Sequence, residues 1–299
     1  MPLLTTTRLP SSFPANLIPK DSEKGSGGFS ANVKSVRSVP DGIIYSPFYN
    51  EDMVIQALEI NTARVLKGKE PLPMICSMLN RGTLKSSISE FKDKELQVRL
   101  KYGESYEKKM SPYIKLIGVT SVHDAFPLET KRLGEYQAIN QLRVTDPKTL
   151  PDKTIETIYV IGHGEAGRPH LYETAKCGSG SKPISDVISE ISRLVIKKVK
   201  SDVKIKITAC ESADRETLHS FDKINDFSER ERGTEPLAKS AKKEASKHFP
   251  ESRVFGYHGL GISRGADYIS KARCLYSNFD NTTGKVSQWV KASTVRKEF

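Results

Sequence analysis

The chain has 299 residues, a mass of 33.3 kDa, a net charge of +11 and a pI near 9.3. That length allows two domains, or one large domain with an appendage, and it can bury a substantial core. At 37% hydrophobic and 28% charged residues it reads as a soluble α/β protein with a disordered portion. No apolar run approaches the roughly 20 residues that span a bilayer. The basic balance fits solubility and diffuse attraction to polyanions, and nucleic acid is not an expected partner. Cys76, Cys177, Cys210 and Cys274 are irregularly spaced, without a C-x-x-C. This points away from a zinc site and from a thioredoxin-type motif. The thiols read as reduced, in a cytosolic working compartment.

Residues 1–40 carry Thr5-Thr6-Thr7, Pro10-Ser11-Ser12, Pro14, Pro19 and Gly25-Ser26-Gly27-Gly28, with little apolar periodicity. Such a segment cannot offset its ordering entropy and reads as a disordered leader. It lacks the basic start and apolar core of a Sec signal. Two readings stay open, a plain tail or a leader threaded through a bacterial secretion machine into a host cell. Residues 41–110 read as a helical amino-terminal region. Glu51 to Lys67 is amphipathic and stops at Gly68, Pro71 and Pro73 break the chain, and Ser86 to Tyr106 is ambiguous between helix and strand.

Residues 111–299 read as an α/β domain. Tyr113 to Thr120 predicts a strand, followed by a loop with His123 and Asp124. A strand at Ile158–Ile161, a helix at Ile184–Lys198, a strand at Val203–Ile207, a helix at Thr234–His248 and a strand at Ser252–Tyr257 follow. Thr234 reads as the cap of its helix, with Pro236 inside the first turn. This alternation predicts right-handed crossovers in a mostly parallel sheet flanked by helices, with the site outside the carboxyl ends of the strands.

Two of those strands end in chemistry. Ile161-Gly162-His163-Gly164 presents an imidazole between glycines, and Ile207-Thr208-Ala209-Cys210 presents a thiol 47 residues later. An imidazole beside a thiol can take its proton or hold the thiolate as an ion pair. Gly162, Gly164 and Ala209 leave room for a substrate and for N–H donors to an oxyanion. Glu211 and Asp214 could select basic substrate side chains or complement a helix start. His170 and His258 read as surface or wall residues, and Cys177 as a plain exposed thiol.

A strand ending in His-Gly, followed some fifty residues later by one ending in Ala-Cys, resembles the caspase-like clan of cysteine peptidases (clan CD). The segment Ile161–Gly164 is most similar to the autoprocessing domains of bacterial toxins, and the resemblance covers roughly residues 154–265. It implies a caspase-like mostly parallel sheet and a cysteine endopeptidase that cleaves a host protein or itself, as a secreted effector acting in the host cytosol. Cys210 would be the nucleophile and His163 its partner, with the N–H groups of Gly164 and Cys210 as oxyanion donors. Asp124 could orient the imidazole. No cofactor is required, and inositol hexakisphosphate is a candidate activator on the lysines at 197, 198, 200, 204 and 206 or at 239, 242, 243 and 247. Two other classes remain open: a Cys-His acyltransferase or deamidase, and a non-catalytic basic module for nucleic acid or phosphoinositide. A purely cytoplasmic location is the alternative to secretion.

Overall fold

The computed structural model describes residues 39–94, 134–135, 137–177, 180–222, 235–262, 272–280, 283 and 285–299. The described chain begins with β1 (Gly42–Tyr45), α1 (Glu51–Val65), β2 (Met74–Ile75) and β3 (Ile155–Val160), with helical residues at 81–94 and 137–141. After these come β4 (His170–Tyr172), β5 (Ser181–Pro183), α2 (Ile184–Val195) and β6 (Val199–Ile207). The chain continues through α3 (Leu237–His248), β7 (Arg253–Tyr257), β8 (Leu260–Ile262), β9 (Ala272–Cys274), β10 (Val290–Lys291) and β11 (Arg296–Glu298).

The centre is a mixed, mostly parallel sheet in the order β11-β7-β6-β3-β1-β2, in which only β11 runs against its neighbour. Ile158 and Val160 of β3 pair with Ile205 and Ile207 of β6, and Ile205 pairs with Val254 of β7. These side chains are fully buried, in one core with Val187, Ile188 and Ile191 of α2 and Ala238, Ala241 and Ala245 of α3. Each buried Ile or Val contributes about 1.5–3 kcal/mol of transfer free energy. The alanines of α3 let that helix lie close against both α2 and β7. Alternate residues share the other sheet face: Thr157 and Tyr159, Lys204 and Lys206, Arg253 and Phe255.

A three-stranded sheet, β10-β9-β8, and the β4–β5 hairpin lie outside the main sheet. Residues 41–110 supply the strands β1 and β2 as well as α1, and both strands sit in the main sheet. Residues 81–94 are helical, which resolves the ambiguous stretch as far as it is described. α3 starts at Leu237 with Pro236 at its N-cap and no side-chain cap, so Pro236 stands just before the first turn rather than inside it. The expected strand at Tyr113–Thr120, the loop with His123 and Asp124, and all but the last two residues of the expected leader lie outside the described residues. No helix among the described residues is long and apolar enough to cross a membrane.

Candidate active site

Parallel pairing of β3 with β6 sets the site. Val160 is paired with Ile207, and His163 and Cys210 each stand three residues beyond that pair. The loop after β3 is pinned by the Gly162 N–H donating to Gln56 Oε1 at 3.2 Å, and by a two-way backbone bridge between His163 and Tyr172. Its Gly164 is packed on the other loop. A Cβ there would stand 2.5 Å from the Cys210 carbonyl oxygen and 2.9 Å from the Ala209 Cβ. Only glycine allows that approach. Among the described residues nothing accepts a hydrogen bond from the N–H of Gly164 or of Cys210.

The two side chains are each engaged elsewhere. His163 is mostly buried, and its Nε2 lies 3.4 Å from Asp52 Oδ2, a contact of charge rather than a well-directed hydrogen bond. Burial pushes the imidazole pKa below its usual value, and the Asp52 carboxylate opposes that shift. Asp52 sits in the first turn of α1, behind the Asn50 cap. The Cys210 thiol accepts from the Gly261 N–H at 3.2 Å. The structure thus brings together the backbones of the two loops without a hydrogen bond between thiol and imidazole.

The loop after β6 is strained at the residue that follows the thiol. Glu211 has φ +50°, in the left-handed region, and is nonetheless buried. Its N–H donates to the Gly259 carbonyl at 2.8 Å, and its carboxylate accepts from the Ala166 N–H and the Thr217 hydroxyl. Burial raises the Glu211 pKa, and these two bonds oppose the rise. Asp214 is also buried. It bonds His258 Nδ1 through one oxygen and the Gly259 N–H at 2.9 Å through the other. Both carboxylates stitch the loops together, so neither reaches for a substrate cation here. No helix starts among residues 211–222, which removes the helix-start explanation for these acids. His258 is a buried residue, paired to Asp214, with an Nε2 that has no partner among the described residues.

β8 is an edge strand of its small sheet, and its Gly261 N–H faces the thiol. Beneath the loop lies Arg273 of β9, 4% exposed, whose Nη1 donates to the carbonyls of Ala209 and Gly259 and whose Nη2 donates to that of Thr208. Cys177, between β4 and β5, is half-buried with φ +51° rather than plainly exposed. His170 lies on β4, half-buried. Among the described residues no cluster of three or more His, Cys, Asp or Glu side chains could hold a metal ion.

Sequence reasoning missed Asp52, Gly261, Arg273 and the Asp214–His258 pair. An acid in a first helical turn is already explained by the helix dipole. Arg273, a single charge inside the apolar stretch Ala272-Arg273-Cys274, was the one available signal. No family model matches this chain, and no curated protein or solved structure is similar to it.

Proposed function

We propose that this protein is a caspase-like cysteine endopeptidase with Cys210 as nucleophile and His163 as its acid–base partner. What supports this reading most is the close packing of Gly164 on the Cys210 backbone at the carboxyl ends of adjacent parallel strands, with neither N–H group engaged by another described residue. The Cys210 thiolate attacks the scissile carbonyl carbon, and the resulting oxyanion is held by the N–H groups of Gly164 and Cys210. Protonated His163 gives its proton to the leaving amine as the C–N bond breaks, leaving a thioester on Cys210. Water then attacks the thioester, its proton goes to His163, and the thiolate departs. Asp52 takes the role first considered for Asp124: its carboxylate favours the imidazolium and fixes the ring.

The substrate is a host protein or the chain itself, and the setting is that of a secreted bacterial effector. Incubating the pure protein with a cytosolic extract and mapping new amino termini tests this, with Cys210→Ala as control. Fragments that depend on Cys210 are expected. Identical fragment patterns with both proteins would sink the peptidase and leave a basic binding module. Acylated or deamidated products without cleavage would instead favour the transferase or deamidase class.

Activation by inositol hexakisphosphate belongs to the same proposal. The α3 lysines support it least. Lys239 and Lys243 share Glu235 at 3.6 and 2.6 Å, Lys247 binds Glu244 at 2.6 Å, and Lys242 donates to the Ser252 carbonyl. Lys198 and Lys200 are likewise paired, to Asp152 and Glu156. Lys204 and Lys206 on the other sheet face support it better, with Arg296 and Lys69 as charged neighbours. Those groups would hold the phosphates, in a strongly salt-dependent way.

A further inference from the structure

Arg273 is a buried positive charge without a direct ion pair among the described residues, Asp214 being the nearest carboxylate to act on it. Its guanidinium is buried, its Cζ lies 4.9 Å from the centre of the Tyr257 ring, and its hydrogen bonds go to neutral carbonyls at residues 208, 209 and 259. Among the described residues no carboxylate stands within ion-pair distance of it. A guanidinium does not deprotonate in a protein, so the charge stays. Carbonyl dipoles and a ring face engage its two terminal nitrogens but leave a net charge in a poorly solvated place.

The group across from it is the thiol. The point where a Gly261 Cβ would stand is 3.5 Å from Arg273 Nη1 and 3.8 Å from Cys210 Sγ, so one glycine separates cation and sulfur. The titratable groups that act on that sulfur are Cys177 in the β4–β5 hairpin and Arg273 with Cys274 on β9; Glu211 and Asp214 lie in its own loop, Asp214 holds His258, and His163 after β3 is turned to Asp52. The carboxylates would oppose a thiolate, and both are bound to other donors. Burial favours the neutral form of His163. Arg273 is the permanent cation in this set.

We propose that Arg273 is a positioning residue that holds Cys210 as a thiolate, its buried guanidinium supplying the counter-charge from below while the Gly261 N–H supplies a hydrogen bond from the side. The proposal rests on the reading of Cys210 as nucleophile, but its test needs no peptidase activity. An arginine that only props up the three carbonyls would affect stability and leave the thiol pKa alone.

The test uses the full chain with Cys177→Ser, so that Cys210 is the accessible thiol, and follows the rate of alkylation by iodoacetamide against pH. The midpoint is expected below that of an ordinary thiol. Arg273→Gln should raise it, slowing alkylation at pH 7 by roughly 10- to 100-fold. Arg273→Lys should restore most of the shift, and His163→Ala should leave the midpoint within about 0.3 unit. A folded Arg273→Gln protein with an unchanged midpoint would overturn the proposal, as would a parent midpoint of about 8.5 or higher. If Arg273→Gln does not fold, His163→Ala decides: a steady midpoint supports Arg273, and a raised one hands the role to the imidazole. Absence of proteolysis in any extract would leave these outcomes readable.

Discussion

Gly164 lies against the Cys210 carbonyl so closely that a methyl group cannot be added without moving one of the two loops. The contact joins the exits of β3 and β6, and it sets how closely the two N–H groups assigned to an oxyanion in the proposed mechanism can approach each other. Gly164→Ala should therefore separate the loops by several tenths of an ångström. Overpacking of this kind costs about 1–3 kcal/mol, and misplaced oxyanion donors cost on the order of a hundredfold in turnover. Urea unfolding and the cleavage rate measure the two effects. A variant with parental turnover would show that the N–H alignment is irrelevant to activity.

The His163–Asp52 contact predicts a titration. Burial holds the folded imidazole pKa below its unfolded value, and Asp52 pulls it partly back. Asp52→Asn should lower it further, read from the His163 ring proton in an NMR titration. The unfolded chain then binds more protons below about pH 6.5, so stability is complete above that pH and is lost as pH falls toward the folded pKa. The substitution should steepen this acid loss. It should also reduce kcat by about tenfold at neutral pH, because less imidazolium is present to protonate the leaving amine. An unchanged ring titration would remove Asp52 from the site.

Much of this architecture was legible because its signals were local. The apolar stripe of α2 and the β-prone runs of β3, β6 and β7 announce elements whose bounds the structure shifts by only a few residues. β1 was less readable: Gly42-Ile43-Ile44-Tyr45 is a four-residue apolar run, too short to show a period, and it becomes a strand through pairing with β2 and β3. His163 and Cys210 stood out because each follows such a run. Asp52, Gly261 and Arg273 lie far from them in sequence, on α1, β8 and β9. They meet the loops only through tertiary contacts that no spacing encodes.

The Asp214–His258 pair predicts a cooperative loss. Both Asp214 oxygens are used, one by the His258 ring and one by the Gly259 N–H, and the Asp214 carbonyl accepts from the Gly167 N–H at 2.9 Å. Gly259 has φ +72°, which suits glycine, and its N–H bond to Asp214 holds the turn that leads into β8. Asp214→Asn should cost about 3 kcal/mol, the usual effect of breaking a buried pair. It should also speed amide exchange at Gly259 and Gly261, whereas exposed Asp222→Asn should do neither. Parental exchange at Gly261 in the Asp214 variant would separate this pair from the nucleophile loop.

Lys206 predicts an opposite, alkaline effect. It is half-buried on the sheet face that also carries Tyr159, its Nζ 4.8 Å from the centre of the Tyr159 ring and 3.3 Å from the Tyr159 hydroxyl. Burial first, and then Arg296, Lys204, Arg64 and Lys69, bring its pKa down to about 8. The unfolded value is about 10.4, so between these limits unfolding takes up a proton and stability rises with pH. Below pH 8 the charge is present in both states and its cost is constant. Lys206→Met should therefore stabilise the protein at pH 7. After discounting for solvent screening and for the lost contacts with Tyr159, the gain is about 1 kcal/mol. It should shrink as pH rises through the window and vanish near pH 10.5. A polyphosphate bound at this face would offset the cost of the Lys206 charge and reverse the sign, making the parent the more stable protein at neutral pH. Thermal melts of both proteins across pH, with and without inositol hexakisphosphate at low salt, measure all of these. A parent and variant that melt alike at every pH would mean that Lys206 keeps an ordinary lysine pKa and that this face carries no strained charge for an anion to relieve.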